Sequence, residues 1–205
     1  MARPLPWLVP AVVTGGLVPL LELSVRAATG GLGADPVAFL LNRLGLLSLV
    51  FLVAGLCCTP LRLLLEATWP ARLTRTLGLL GFGYASAHVA LYLGVDQGLK
   101  LAAIWKDVTE RPFITVGAAA FLLLTPLAGT STDAAVRRLG FRRWKALHRL
   151  AYAAAALGVV HFLLRVKKDV TEPLAYGLVL ATALALRAVN RLLQRRRVAP
   201  GQGVS

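Results

Sequence analysis

Apolar residues are gathered into six blocks along this chain, and most charged residues lie in the segments between and after them. The blocks cover about residues 5–25, 44–60, 77–95, 112–129, 145–165 and 174–193. Each is near the ~20 residues that a helix rising ~1.5 Å per residue needs to cross a ~30 Å hydrocarbon core. The pattern predicts an all-α membrane protein: a six-helix transmembrane bundle over residues 1–194, followed by a disordered basic tail over 195–205. No repeat and no separate soluble domain interrupts it.

The connecting segments carry their own signals. The first block is flanked by Arg3 and Arg26, and its Pro10, Pro19 and Glu22 suit an uncleaved helix better than a signal peptide. Glu22 reads either as an interfacial carboxylate reaching the headgroups or as a contact to a cofactor or quinone. TGGLGADP (Thr29–Pro36) is a turn, and Trp69–Pro70 marks an interfacial linker before the third block. Between the third and fourth blocks, Leu101, Ile104, Trp105 and Val108 recur at helical spacing within a polar stretch, Gln97–Arg111. That is a short amphipathic helix on the membrane surface or a docking element. Pro112 opens the fourth block as a first-turn residue.

Composition sharpens this picture. A chain 57% hydrophobic and only 16% charged is not an ordinary soluble domain. Its net charge of +14 could suggest a nucleic-acid partner, but the basic residues lie in loops between apolar blocks. There they read as topology signals and contacts to anionic lipid, so no nucleic acid is expected. Fifteen Lys and Arg fall on the side of the termini, from Arg3 to Arg197, and eight on the other, from Arg26 to Lys168. Both termini are therefore expected in the cytoplasm. Cys57 and Cys58 are adjacent and form no metal or redox spacing; they read as small apolar residues in a helix.

The candidate chemistry lies in the histidines. All three, His88, His148 and His161, fall inside apolar blocks, where an ionisable side chain is by default functional. With both termini inside, the third and fifth helices run outward. His88 then stands roughly 10 Å and His161 roughly 6 Å from their outer ends. This pair is expected to meet across one cofactor in the outer half of the membrane, while His148 lies on the cytoplasmic side. On an ideal helix the thirteen steps from His148 to His161 leave a phase of about 220°, so the two do not share a face. An iron porphyrin held between imidazoles from two helices is the simplest site that fits. Zinc would need more converging ligands, and a proton relay would need nearby carboxylates. A histidine-based proton-coupled small transporter without haem is the alternative, and a cofactor-free structural bundle a third reading. Gly81 and Ala85 on the His88 face, and Ala154 and Gly158 on the His161 face, leave room for a flat ring or a neighbouring helix.

Several blocks resemble a known family. LGADP (Leu32–Pro36), LGLLGFGYASAHVALY (Leu77–Tyr92), RPFITVG (Arg111–Gly117), TST (Thr130–Thr132) and WKALHRLAY…VVHFLLRVK are similar, in order and spacing, to the ferric-reductase-like transmembrane family. That family includes the membrane domains of NADPH oxidases and the haem-binding membrane subunits of bacterial methionine sulfoxide reductase systems. The resemblance implies a b-type cytochrome of the bacterial inner membrane with one or two haems, His88, His148 and His161 being the haem-linked histidines. His88 and His161 would be the axial pair of one iron, and His148 would serve a second haem or lie near a flavin. It also implies association with FMN, electrons from the quinol pool or a cytoplasmic flavin reductase, and delivery to a periplasmic MsrP-type molybdopterin enzyme. The chain would then be an electron-transfer subunit with no catalytic residue of its own. In relatives that stack two haems, a second histidine stands about fourteen residues before the outer one on the third helix; here that position is Thr74, followed by Arg75.

Overall fold

The computed structural model describes the backbone of residues 5–198, with side chains described through residue 194. Within that range the regular structure is all helical, without strands. The helices are α1 (Leu8–Ala28), α2 (Pro36–Leu64), α3 (Trp69–Leu91), α4 (Leu101–Glu110), α5 (Pro112–Gly129), α6 (Asp133–Leu139), α7 (Phe141–Leu147), α8 (Leu150–Arg165) and α9 (Thr171–Val198). Six segments are long and apolar enough to span a membrane: α1, α2, α3 with the π-helical turn Tyr92–Asp96 that extends it, α5, α7 with α8, and α9. The six-span expectation holds.

Local chemistry explains where the helices start. The Asp35 side chain accepts from the Ala38 amide at 3.0 Å, and Pro36 occupies the first turn, so α2 begins eight residues before the apolar block does. Pro70 does the same for α3, and the expected interfacial linker at Trp69–Pro70 is instead that helix's first turn. Thr74 and Arg75 are thereby carried on the same helix as His88. In the basic loop, Thr132 caps α6, and Gly140 takes the positive φ of 75° that turns the chain into α7. The exposed Asp133 carboxyl is bonded by Arg75 at 2.7 Å, which holds it below the usual carboxylate range and ties α6 to α3. The last helix continues to Val198; the remainder of the expected tail, 199–205, lies outside the described residues.

The long α2 is the centre of the bundle. It packs on α8 and α9 through Leu49, Val53 and Leu56 against Ala155, Val159 and Leu180. On its other side Leu44 meets Leu23 of α1 and Tyr84 of α3. Gly81 lets α3 approach so closely that an added Cβ would lie 3.2 Å from the Ser48 carbonyl oxygen, and the Ser48 hydroxyl donates to the Gly81 carbonyl at 2.9 Å. Gly81 therefore serves a neighbouring helix. Ala154 packs on Leu124 and Leu127, and a Cβ at Gly158 would touch Leu49, so the small residues near His161 also serve packing. The Tyr84 hydroxyl donates to the Gly16 carbonyl at 2.7 Å, fastening α1. Large apolar side chains left outside, such as Leu17, Leu21, Leu122 and Leu178, suit a lipid surround. Glu22 is exposed and pairs with Arg26 at 2.8 Å, while the free Cys58 is buried in α2.

Candidate functional site

His88 comes from α3 and His161 from α8, and the structure brings the two rings together. Their centroids are 6.3 Å apart and their planes nearly perpendicular, at 85°. Each ring is held by the same device. The Nδ1–H of His88 donates to the Leu41 carbonyl at 2.8 Å, and that of His161 to the Phe113 carbonyl at 2.6 Å. A carbonyl can only accept, so Nδ1 carries the proton and Nε2 keeps its lone pair. Neither Nε2 has a hydrogen-bond partner among the described residues.

These carbonyls are unusual acceptors, since both lie inside helices. The Leu41 oxygen already takes the Gly45 amide four residues on, and the Phe113 oxygen takes that of Gly117. A second donor can reach the remaining lone pair only if the residue four places later has no side chain in the way. Gly45 and Gly117 meet that need. A Cβ at Gly45 would lie 3.3 Å from the His88 ring, and one at Gly117 only 2.6 Å from His161 Nδ1. The room for the imidazoles thus comes from two glycines on facing helices and not from small residues on the histidines' own helices. Leu-x-x-x-Gly and Phe-x-x-x-Gly near the starts of two spans were the available signal.

The fit to haem rests on this geometry. Two imidazoles that each give one nitrogen to a single metal ion at about 2.0–2.1 Å have centroids roughly 6 Å apart. Anchoring of the far ring nitrogen by a carbonyl is how metal-bound histidines are usually oriented. No group of three His, Cys, Asp or Glu converges among the described residues. Two imidazoles, each with its Nε2 free, would suit ligation of a haem iron, and not the four-ligand shell of a structural zinc.

His148 is placed differently. It stands at the break between α7 and α8, so the expected continuous fifth helix is interrupted, and the phase conflict with His161 disappears. The Thr130 hydroxyl donates to the Pro126 carbonyl at 2.7 Å, so its oxygen accepts from His148 Nε2 at 3.1 Å. Trp144 stacks on the imidazole with centroids 4.1 Å apart and donates its own Nε1–H to the Thr130 carbonyl. No histidine faces it. It lines an open cavity of about 1020 Å³, together with Thr74, Arg75 and Arg149.

Between α3 and α5, α4 is amphipathic as expected, with Leu101 and Trp105 exposed. Asp107 anchors it by accepting from the Tyr92 hydroxyl and Gln97 Nε2, both at 3.1 Å, and pairing with Arg111 at 3.3 Å. Tyr92 opens the π-helical turn one helical turn after His88, so the same network steadies the end of the ligand helix.

Comparison with known proteins agrees with the geometry. The family described as ferric reductase like transmembrane component matches residues 41–159, which takes in His88 and His148 and stops just short of His161. Curated relatives carry the name protein-methionine-sulfoxide reductase heme-binding subunit MsrQ. That of Rhodospirillum rubrum is 48% identical over 186 residues, 91% of this chain and 89% of the relative. That of Deinococcus radiodurans is 53% identical over 184 residues, 88% and 91%. That of Azospira oryzae is 47% identical over 177 residues, 86% and 76%. With six apolar spans, a histidine pair between two of them and likeness over most of its length, the chain belongs to the MsrQ group of the ferric reductase like transmembrane family.

Proposed function

We propose that this chain is a haem b electron-transfer subunit of the bacterial inner membrane, with both termini cytoplasmic. It hands electrons to a periplasmic molybdopterin enzyme that reduces methionine sulfoxide in oxidised proteins. The relatives' name ties them to haem and to that reductase activity. The bias of Lys and Arg toward the side of the termini supports the orientation. The observation that carries the reading is the outer pair, 6.3 Å apart with each Nδ1 proton committed to a carbonyl.

His88 and His161 would hold the iron. Arg165, one turn after His161 at the end of α8, would offset the ligand's acidic groups. When bound, haem supplies a one-electron carrier. The chain's own residues fix the imidazoles, hold their protons at Nδ1 and surround the site with apolar helices. Electrons arrive from the quinol pool or a separate cytoplasmic flavin reductase, and the cavity beside His148 is the place for a second haem or for FMN. The test is the absorption spectrum of detergent-purified protein, oxidised and dithionite-reduced, with haem per chain from the pyridine adduct. Sharp reduced bands of six-coordinate haem b are expected. A colourless protein from haem-replete cells would overturn the reading.

The outer segments 97–111 and 165–172 follow the helices that bear His88 and His161, and are the proposed docking surface. Reversing the charge of Lys167 and Lys168 to Glu is expected to slow electron delivery to the reductase several-fold at low salt while haem content stays unchanged. The difference should shrink as ionic strength rises, because the contacts are exposed. Stopped-flow oxidation of the reduced cytochrome by added reductase measures it; a rate unchanged at low salt would exclude this loop from docking.

A further inference from the structure

The cavity beside His148 has an unusual charge balance. Seven Lys and Arg side chains line it and no Asp or Glu does. Its far wall is apolar, with Leu52, Leu56 and Phe82. Most of the cations are exposed, where solvent can screen them. Arg187 of α9 is not: it is only 9% exposed, inside the bundle.

Part of Arg187's role is structural. The Leu56 carbonyl in α2 would normally accept from the amide four residues later, but that residue is Pro60, which has none. Arg187 Nη2 donates to this orphaned oxygen at 2.5 Å, and Nη1 donates to the Tyr152 hydroxyl at 2.6 Å. Two neutral acceptors satisfy two donors and leave the charge unbalanced. Nε is buried with no partner at all, and no carboxylate pairs with the guanidinium among the described residues. An unpaired charge taken out of water is strongly disfavoured, and a neutral side chain could have capped Leu56 without that cost. The Tyr152 hydroxyl accepts from Arg187, so its own proton is free for a further acceptor.

We propose that Arg187, with Tyr152, is the anion anchor of this inner cavity, binding the carboxylate or phosphate of an amphiphile whose apolar body lies against Leu52 and Phe82. Guanidinium is the group best suited to hold either anion, through charge-assisted bonds. A quinone is neutral and would leave the charge uncompensated. The shared chemistry has three sources: the propionates of a second haem, the phosphate of FMN and the phosphate of a lipid. The inference rests on the reading of the cavity as a ligand site, but not on the outer haem.

The test uses the full chain purified in mild detergent as wild type, Arg187→Gln, Arg187→Lys, Tyr152→Phe and Arg191→Gln. Haem per chain is read from the pyridine adduct, flavin from fluorescence after acid release, and bound phospholipid from native mass spectrometry. Arg187→Gln is expected to lower one of the three contents by roughly tenfold or more under dilution, as loss of a charged hydrogen bond implies. Arg187→Lys should retain most of it and Tyr152→Phe part of it, with the outer-haem spectrum unchanged. The content that falls identifies the source. All three contents equal to wild type in both Arg187→Gln and Tyr152→Phe would overturn the proposal. So would an equal loss in Arg191→Gln, which removes an exposed rim charge. Absence of the outer-haem spectrum in wild type would count against the electron-transfer reading alone, since flavin and lipid contents would still report on Arg187.

Discussion

His161→Ala protein is expected to lose the six-coordinate spectrum of the outer haem completely, and His88→Ala to do the same. Under the proposed function each imidazole would supply one ligand to the iron, and among the described residues no cluster of His, Cys, Asp or Glu stands ready to replace either. The fold should survive. Removing the ring forfeits one hydrogen bond, about 1 kcal/mol, and leaves no orphan, because Phe113 O still takes the Gly117 amide and Leu41 O the Gly45 amide. Helical circular dichroism should therefore match wild type while the chromophore is gone. A full haem complement in either variant would sink the ligand assignment.

The second large effect comes from a residue that touches no iron. Gly117→Leu should abolish the outer haem nearly as completely as loss of His161. Its Cβ alone would lie 2.6 Å from His161 Nδ1, at the place where the ring meets the Phe113 carbonyl. Something must move, and the flanking helices are packed, so the ring leaves its carbonyl and loses the orientation that bond fixes. The effect should be graded. Gly117→Ala meets the ring at 2.6 Å and Gly45→Ala at 3.3 Å, so the first should cost more haem than the second. Haem per chain and the position of the reduced bands measure both. A normal spectrum in Gly117→Leu would show that the carbonyl anchor is dispensable.

Residues far from the histidines illustrate how much could be read in advance. The six spans follow from hydrocarbon thickness alone, and α2 starts where Asp35 and Pro36 say a helix should. The matched depth of His88 and His161 needed only the parity of the spans and a rise per residue, and the rings do meet. Other assignments could not be made along one chain. Gly81, Ala154 and Gly158 were equally consistent with a ring or a helix beside them, and the neighbour that decided it lies elsewhere in the sequence, at Ser48, Leu124 or Leu49. His148 looked like a mid-helix residue because nothing local announces the break after Leu147.

The amino-acid order by itself determined the membrane class, the number of spans and the pairing in depth of two histidines, because each depends on properties summed along one helix: length, apolarity and distance from its end. Tertiary structure alone decided which nitrogen of each histidine is free, which glycines clear the carbonyls that hold them, and that Arg187 answers the carbonyl left open by Pro60. Those are contacts between residues separated by 47, 48 and 131 positions. Hydrogen-bond direction and van der Waals clearance act over a few ångströms in space, so they come into being only when the helices pack.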